Sequence, residues 1–133
     1  MKNFILVYSG TISDNFEDSL LSEYASLADA GVEIGAKKPM AIKRKIGGRP
    51  MVLVFDAENY QKTRGDETAF GVDGQNRVIE RISGTIFICA AADGNWISPL
   101  SIRDKIAIWN ATRAGWLYFE TSEKAAEIHR AIN

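Results

Sequence analysis

The segment from Arg77 to Ala91 constrains the fold most, because it is the densest run of strand-forming residues in the chain. β-Branched and aromatic residues stand on both sides of Ser83-Gly84, where the glycine can adopt the positive φ of a tight turn. The segment therefore predicts a hairpin of two strands, 77–82 and 85–91. Both alternating sets of residues in the second strand are apolar, so we expect it to be covered on both faces at the centre of a sheet.

A second hairpin is predicted where Met40–Ile46 and Arg49–Phe55 flank Gly47-Gly48, because this two-residue loop suits turns with positive φ. The second arm is apolar on both faces, which indicates an internal strand. The first arm contains three successive cations: Lys43, Arg44 and Lys45. Cations at the edge of a sheet discourage pairing with other chains, so this arm is predicted to be an edge strand.

Three helices are predicted from capping residues followed by apolar residues at helical spacing. Their predicted spans are 14–30, 98–113 and 121–132. In the second helix Ile102, Ile106 and Trp109 share one face, and we expect that face to be buried. Further strands are predicted at Phe4–Tyr8, Glu67–Val72 and Trp116–Phe119.

The length and composition fit one globular domain, 1–133, since 46% of its 133 residues are hydrophobic and 25% are charged. The predicted elements together indicate an α+β fold. Its mixed or mostly antiparallel sheet is expected to have about five or six strands, with two hairpins and three helices.

The charge balance and the apolar runs argue against several classes of protein. A formal net charge of −1 is unlike that of a dedicated nucleic-acid-binding protein. The apolar run after Lys2 covers about five residues, which is shorter than the core of a signal peptide, and no run approaches the ~20 residues of a membrane span. The single cysteine, Cys89, lies inside an apolar strand. These features predict a cytoplasmic protein with no membrane partner.

Catalytic and metal-binding patterns are weak. One histidine and one cysteine do not supply the ligands of a metal site, so neither a metal nor another cofactor is predicted. Segment 56–76 has few structural signals, and connections of this length are often functional or disordered. Asp66-Glu67 within it is the nearest approach to a pair of catalytic carboxylates. Solvated loop charges are the simpler interpretation.

The candidate contact residues are cations and aromatic residues of the hairpin, the long segment and the region before the second helix. The predicted ligand- or partner-binding residues are Lys43, Arg44, Lys45, Arg49, Tyr60, Arg64 and Trp96. Arg44 alternates with the apolar positions of its strand, so it is either an inward-pointing charge that protects an edge or an arginine that grips an anion. Trp96 follows a polar turn and is expected to be available for stacking.

Several motifs resemble those of small phage and mobile-element proteins catalogued as a domain of unknown function. These motifs are Asp73-Gly74, Ile79 and Ile82, Gly84–Cys89, and Trp96–Ser101. The resemblance covers about a third of the chain and implies a prokaryotic, mobile-element setting. The family's Asn-Arg motif precedes Asp-Gly, whereas Asn76-Arg77 follows it here, so the role of that motif is not carried over.

The leading hypothesis is a non-enzymatic binding or inhibitor protein of phage or mobile-element origin. It would engage a host protein or a small anionic ligand, with a role against host defence. A small enzyme with carboxylates from segment 56–76 is the first alternative. A nucleic-acid contact module through the basic hairpin 37–49 is the second. The sequence leaves the oligomeric state open.

Overall fold

The computed structural model describes residues 4–7, 16–19, 21–22, 26–61, 66–92, 95–121 and 129–131. These residues form a mostly β protein, in which eleven strands belong to one sheet and two α-helices lie against it. The predicted α+β fold with five or six strands and three helices is therefore wrong. Short strands that receive their partners from distant parts of the chain account for most of the difference.

The strands are β1 (Ile5–Val7), β2 (Phe16–Asp18), β3 (Pro39–Ile46), β4 (Arg49–Asp56), β5 (Glu67–Val72), β6 (Val78–Ser83), β7 (Ile86–Ala92), β8 (Asn95–Ser98), β9 (Thr112–Arg113), β10 (Trp116–Glu120) and β11 (His129–Ala131). The helices are α1 (Leu27–Glu33) and α2 (Ile102–Asn110), and a 3-10 turn covers Ala57–Asn59. Along the main path of the sheet the order is β2-β1-β7-β4-β3-β10-β5-β6. β8 pairs with β7, β9 with β10, and β11 with β3. The pairing of β5 with β10 is parallel, and the other pairings are antiparallel.

The two strands around Ser83-Gly84 exist, but they do not form the predicted hairpin. β6 pairs with β5, whereas β7 lies between β1 and β4. Gly84 has the expected positive φ of 74°, and a Cβ there would lie 2.6 Å from the amide of Asn59. A glycine turn thus permits a sharp change of direction without specifying which strands pair.

The central position of β7 is confirmed. Ile86, Ile88 and Ala90 belong to one hydrophobic cluster, and Phe87 and Cys89 belong to the cluster on the opposite face. All of these side chains are buried. Apolar residues at both the odd and the even positions of this segment therefore correctly indicated a strand that is covered on both faces.

The hairpin of β3 and β4 is also confirmed, with positive φ at both Gly47 and Gly48. β4 is internal as predicted. The predicted edge position of β3 is wrong, because β10 and β11 pair with it along the side that β4 leaves open. Lys45 is exposed and Lys43 is half-buried. Both alternate with inward-facing Arg44, so these lysines lie on the outer face and need no sheet edge to reach water.

The second predicted helix exists as α2 but is shorter than the predicted span 98–113, because Ser98 ends β8 and Thr112–Arg113 form β9. The first prediction was partly right, and the third is wrong where the structure describes it. α1 begins at Leu27 after a capping box of Ser26 and Asp29, whereas residues 16–18 form β2 and pair with β1. Positions 14–15, 20 and 23–25 of that predicted helix lie outside the described residues. The end of the third predicted helix is instead β11, and 122–128 likewise lie outside the described part. Pairing with a sheet edge has overridden helical spacing in both places.

The sheet is strongly curled. Arg44 of β3 and Glu80 of β6 are joined by contacts of 2.7 Å, although β10 and β5 lie between their strands. Three strand spacings would separate β3 and β6 by about 14 Å in a flat sheet. Tyr60, in the chain after β4, pairs with Ile82 of β6 and brings this edge back towards the middle of the sheet.

The curled sheet has a hydrophobic cluster on each face. The concave face holds the larger cluster, with side chains from β1, β3, β4, β5, β6, β7 and β10, and α2 contributes Ile108 to it. The other cluster is covered by Leu27 and Ala30 of α1. Neither of the helices found in the described ranges is long and apolar enough to cross a membrane.

Candidate functional site

A buried polar network lies inside the curl of the sheet. Arg44 donates from Nε and Nη2 to the two carboxylate oxygens of Glu80, at 2.7 Å each. The side chains of this pair are 0% and 2% exposed. The hydroxyl of Tyr60 donates to the same carboxylate, and its ring stacks on Phe55. The structure therefore brings together two predicted site residues, Arg44 and Tyr60, through a third residue that sequence reasoning missed.

The electrostatics of this network keep the pair charged. Burial alone would raise the pKa of Glu80, but hydrogen bonds from Arg44 and Tyr60 outweigh it and hold the pKa below its ordinary value. Burial and the neighbouring Glu80 carboxylate raise the pKa of Tyr60 to about 12. The network thus contains an ion pair and a protonated phenol. Because it is closed to solvent, its role is to hold the fold together.

Arg49, another predicted contact residue, is also held in an ion pair within the protein. Its Nε donates to Asp104 of α2 at 2.6 Å. Asp104 also accepts from the backbone N–H of Ser101 and so completes the capping box at the start of the helix. Burial opposes ionisation of Asp104, but the hydrogen bonds from Arg49 and Ser101 prevail and lower its pKa. Arg49 therefore connects the β3–β4 hairpin to α2.

The remaining predicted contact residues are not gathered on one surface. Lys43 and Lys45 lie on the outer face of β3. Arg64 lies outside the described residues, as does the side chain of Trp96, whose backbone belongs to β8. The sequence-predicted set is therefore divided between the interior, the outer face of the sheet and parts of the chain that the structure does not describe.

A pocket of about 480 Å³ opens between α2 and β10, and we call it the α2–β10 pocket. Its polar lining comes from α2, from the β9–β10 unit and from the turn before β6. The polar lining residues are Asn76, Arg103, Asn110, Arg113, Tyr118 and Glu120. The pocket lies within the size range of about 300–1,000 Å³ that is typical of small-molecule sites.

Local backbone geometry positions these groups. Asn76 has a φ of 60° in the turn between β5 and β6, where Asp73 accepts hydrogen bonds from the backbone of Gln75 and Arg77. Gly47 lies so close to α2 that a Cβ would come within 3.1 Å of the Cβ of Ala107. Close approach at this glycine sets the distance between the hairpin and the helix.

The pocket carries an excess of positive charge. Arg103 and Arg113 form no ion pair with any carboxylate of the described residues. Arg113 lies over the ring of Tyr118, with its guanidinium carbon 5.8 Å from the ring centre. Glu120 accepts a hydrogen bond of 2.8 Å from the backbone N–H of Gly48. Two guanidinium groups and two side-chain amides are thus available as donors to a phosphate or a carboxylate.

Sequence reasoning missed both Glu80 and the arginines of the pocket. Glu80 could have been found from the sequence, because it lies two residues before Ile82 and therefore on the same, inward face of β6. A carboxylate on a buried face implies a cation buried beside it. Arg103 and Arg113 left none, since the path of the chain from α2 into β9 is what brings them to one pocket.

Comparisons of the chain with protein-family models, with curated proteins and with solved structures found no match. The resemblance to phage and mobile-element proteins therefore stays a prediction. Within the described ranges, no group of three or more histidine, cysteine, aspartate or glutamate residues is arranged to hold a metal ion.

Proposed function

We propose that the protein is a binding protein that holds a small anionic ligand in the α2–β10 pocket. The observation that carries this proposal is the presence of Arg103 and Arg113 in one pocket without a carboxylate partner among the described residues. Guanidinium groups that the fold leaves without counter-ions favour an anion from outside the chain.

The chemistry of the lining indicates a ligand with a phosphate or carboxylate group. Arginine presents a planar fork of N–H donors that pairs with either group through two parallel hydrogen bonds. The amides of Asn76 and Asn110 would donate to further oxygens of the ligand. Glu120 would disfavour a second negative charge near its own end of the pocket.

The alternatives receive less support. Asp66 and Glu67, the proposed catalytic carboxylates, do not line the α2–β10 pocket. A nucleic-acid interface on segment 37–49 would lack Arg44, which is sealed inside against Glu80. The phage or mobile-element origin and the cytoplasmic location belong to this proposal. They rest on the motif resemblance and on the buried thiol of Cys89, which is in no disulfide.

Titration calorimetry would test the proposal with inorganic phosphate, nucleoside monophosphates, sugar phosphates and dicarboxylates as probes. We expect at least one class to bind wild-type protein, and Arg113→Lys to weaken it although charge is conserved. Loss of a charge-assisted contact corresponds to roughly a tenfold to hundredfold loss of affinity.

Lys37→Gln is the control, because Lys37 is exposed in the connection before β3 and does not line the pocket. This variant should bind the same probe as wild-type protein does. Equal affinity of wild-type protein and Arg113→Lys for that probe, or no binding of any probe at millimolar concentration, would rule out this function for the pocket.

A further inference from the structure

An aromatic cluster lies on the outer face of the sheet beside the α2–β10 pocket. Phe70 of β5 stands opposite Tyr118 of β10 in the strand register, and Trp116 lies two residues before Tyr118 on the same face. The ring centre of Phe70 is 5.7 Å from that of Tyr118 and 5.9 Å from that of Trp116. We call these three residues the β5–β10 aromatic cluster.

The β5–β10 aromatic cluster faces away from the hydrophobic core. Leu117 and Phe119 alternate with Trp116 and Tyr118 along β10, and both are fully buried in the hydrophobic cluster of the concave face. Trp116 is 40% exposed although its ring contacts Phe70. This residue therefore keeps a large surface open to a ligand.

A tight hairpin connects the aromatic cluster to the pocket. β9 and β10 are joined by Ala114-Gly115, and both residues have a positive φ, of 53° and 88°, as a two-residue hairpin loop requires. The turn makes Arg113 the direct cross-strand neighbour of Trp116, and such neighbours have Cβ atoms about 4.5–5.5 Å apart. Trp116 thus lies next to the pocket arginine, although it does not line the pocket itself.

Tyr118 positions the guanidinium group of Arg113. The guanidinium carbon lies over the Tyr118 ring, 5.8 Å from its centre. Stacking on a ring uses the face of the guanidinium plane and leaves the N–H donors at its edge for an anion. Tyr118 is two residues, or about 7 Å, from Trp116 along β10. A site for an anion and an exposed aromatic surface therefore lie side by side.

The pocket also contains a carboxylate, at the end away from Trp116. Glu120 follows Tyr118 by two residues on the same face of β10, and it accepts a hydrogen bond from the backbone N–H of Gly48. Four residues separate it from Trp116, which corresponds to about 13 Å along the strand. An anionic group of a ligand is therefore favoured at Arg113, on the side of the aromatic cluster.

We propose that the ligand of the α2–β10 pocket is a nucleotide, with its phosphate at Arg113 and its base stacked on Trp116. This inference rests on the proposed function, because it names the class of anion that the same pocket binds. A phosphate has three acceptor oxygens for Arg113 and for the amides of the pocket. Every base has a π face that stacks on an aromatic side chain.

The separation of the two sites distinguishes a nucleotide from simpler anions. Inorganic phosphate, a sugar phosphate or a dicarboxylate would pair with Arg113 and leave Trp116 uncovered. An aryl phosphate such as phosphotyrosine carries the phosphate directly on its ring. The guanidinium lies over Tyr118 and not over Trp116, so the ring and the anion of the ligand need a spacer between them. The sugar of a nucleotide is such a spacer.

Titration calorimetry would test the proposal with the monophosphates of adenosine, guanosine, cytidine and uridine, and with ribose 5-phosphate and phenyl phosphate. Ribose 5-phosphate carries the same phosphate and sugar, so its comparison with a nucleotide isolates the contribution of the base. We expect at least one nucleotide to bind about fivefold to a hundredfold more tightly than ribose 5-phosphate does, the usual effect of one stacked base.

Substitutions at Trp116 and Arg113 should separate the two parts of the ligand. Trp116→Leu should bind the nucleotide no more tightly than ribose 5-phosphate, and its affinity for ribose 5-phosphate should not change. Trp116→Phe should retain most of the preference, because a ring still stacks on the base. Arg113→Lys should weaken both probes. If Trp116 only supported the structure of the pocket, Trp116→Leu would weaken both probes alike.

Trp109→Leu is the matched control. Ile102, Ile106 and Trp109 of α2 are 71%, 52% and 54% exposed, so the predicted burial of this face is wrong. Trp109 is therefore another exposed tryptophan, and it does not line the pocket. This variant should bind every probe as wild-type protein does.

A 5′-phosphorylated oligonucleotide would distinguish two sources of the same chemistry. Tighter binding of the oligonucleotide than of the mononucleotide would identify the end of a nucleic-acid strand as the ligand. Equal or weaker binding would identify a free nucleotide.

Failure of the nucleotide proposal and failure of the pocket function would be separate results. If ribose 5-phosphate or phenyl phosphate binds as tightly as the best nucleotide, or if dicarboxylates alone bind, the ligand is not a nucleotide, and the pocket remains an anion site. If no probe binds at millimolar concentration, both are wrong.

Discussion

Arg44 and Glu80 form a buried ion pair whose two charges depend on each other. Removing the cation would leave the Glu80 carboxylate buried without a counter-ion, although the Tyr60 hydroxyl would still donate to it. We expect Arg44→Met to lower the free energy of unfolding by about 3–5 kcal/mol, the usual cost of breaking such a pair. Urea denaturation at neutral pH would measure the change.

The double variant Arg44→Met/Glu80→Leu is the control for this prediction. Because it removes both charges together, its stability should return close to that of wild-type protein or exceed it. A single-variant cost below about 1 kcal/mol would instead be typical of a solvated surface pair. That outcome would mean that the Arg44–Glu80 pair is open to solvent.

The same network predicts a loss of stability in acid. A carboxyl group whose pKa is lower in the folded protein adds stability above its unfolded pKa and loses it as the pH falls through the folded value. Glu80 and Asp104 are both of this kind. The free energy of unfolding should therefore fall as the pH drops below the ordinary glutamate value of 4.5.

Urea denaturation at a series of acidic pH values would show this dependence. The double variant Arg44→Met/Glu80→Leu should have a flatter profile, and Asp104 should account for part of the slope that persists. Parallel profiles for the double variant and wild-type protein would mean that Glu80 titrates alike in the folded and unfolded states.

At the scale of the element, α2 is a helix with few buried apolar contacts and several polar tethers. Ile108 is its fully buried apolar side chain, and the ion pair of Arg49 with Asp104 joins its first turn to the hairpin. Arg49→Gln should therefore loosen α2 more than the sheet. We expect the amides of α2 to lose protection by about 0.5–1 kcal/mol, because Arg49 is partly exposed and its pair is screened by water.

Hydrogen exchange followed by mass spectrometry would compare peptides from α2 with peptides from β4 and β7. Arg77→Gln is a suitable control, since Arg77 forms an exposed pair with Asp73 in the turn before β6. That variant should leave α2 unchanged. Equal loss of protection in β7 and α2 after Arg49→Gln would show that the helix opens only with the whole sheet.

At the scale of the molecule, Cys89 reports on opening of the entire sheet. It lies in β7 between β1 and β4, and burial raises the pKa of its thiol to about 12. Reaction with a thiol reagent requires the exposed thiolate, so we expect labelling of native protein to need global unfolding. The labelling rate should rise with urea along the slope of the global unfolding transition.

Phe87→Ala should accelerate this labelling. Phe87 is fully buried beside Phe4, so truncation leaves a cavity that costs about 3–5 kcal/mol and raises the labelling rate at least a hundredfold. Val32→Ser, an exposed change on α1, should leave the rate unchanged. Fast labelling of the wild-type protein would mean that β7 opens locally.

Residue patterns over a few positions were sufficient for the local elements. Apolar residues at both alternating sets of positions identified β7 and β4 as buried strands, and Gly47-Gly48 identified the turn of the β3–β4 hairpin. Capping residues indicated the helix α2, which starts after Ser101 and not at Ser98. Each of these features depends on backbone dihedrals, caps or alternation within one segment. They are therefore determined by the sequence alone.

Tertiary structure decided the features that depend on distant partners. Three such features are the place of β7 between β1 and β4, the neighbours of β3, and the contact of Arg44 with Glu80 across the curl of the sheet. The outward face of α2 depends on the attachment of the helix through Ile108 and through Asp104 to Arg49. Hydrophobic periodicity states that a face is apolar, but it does not state which surface will cover it. The α2–β10 pocket is of this second kind, because Arg103 and Arg113 meet only after α2 and β10 have packed on the same sheet.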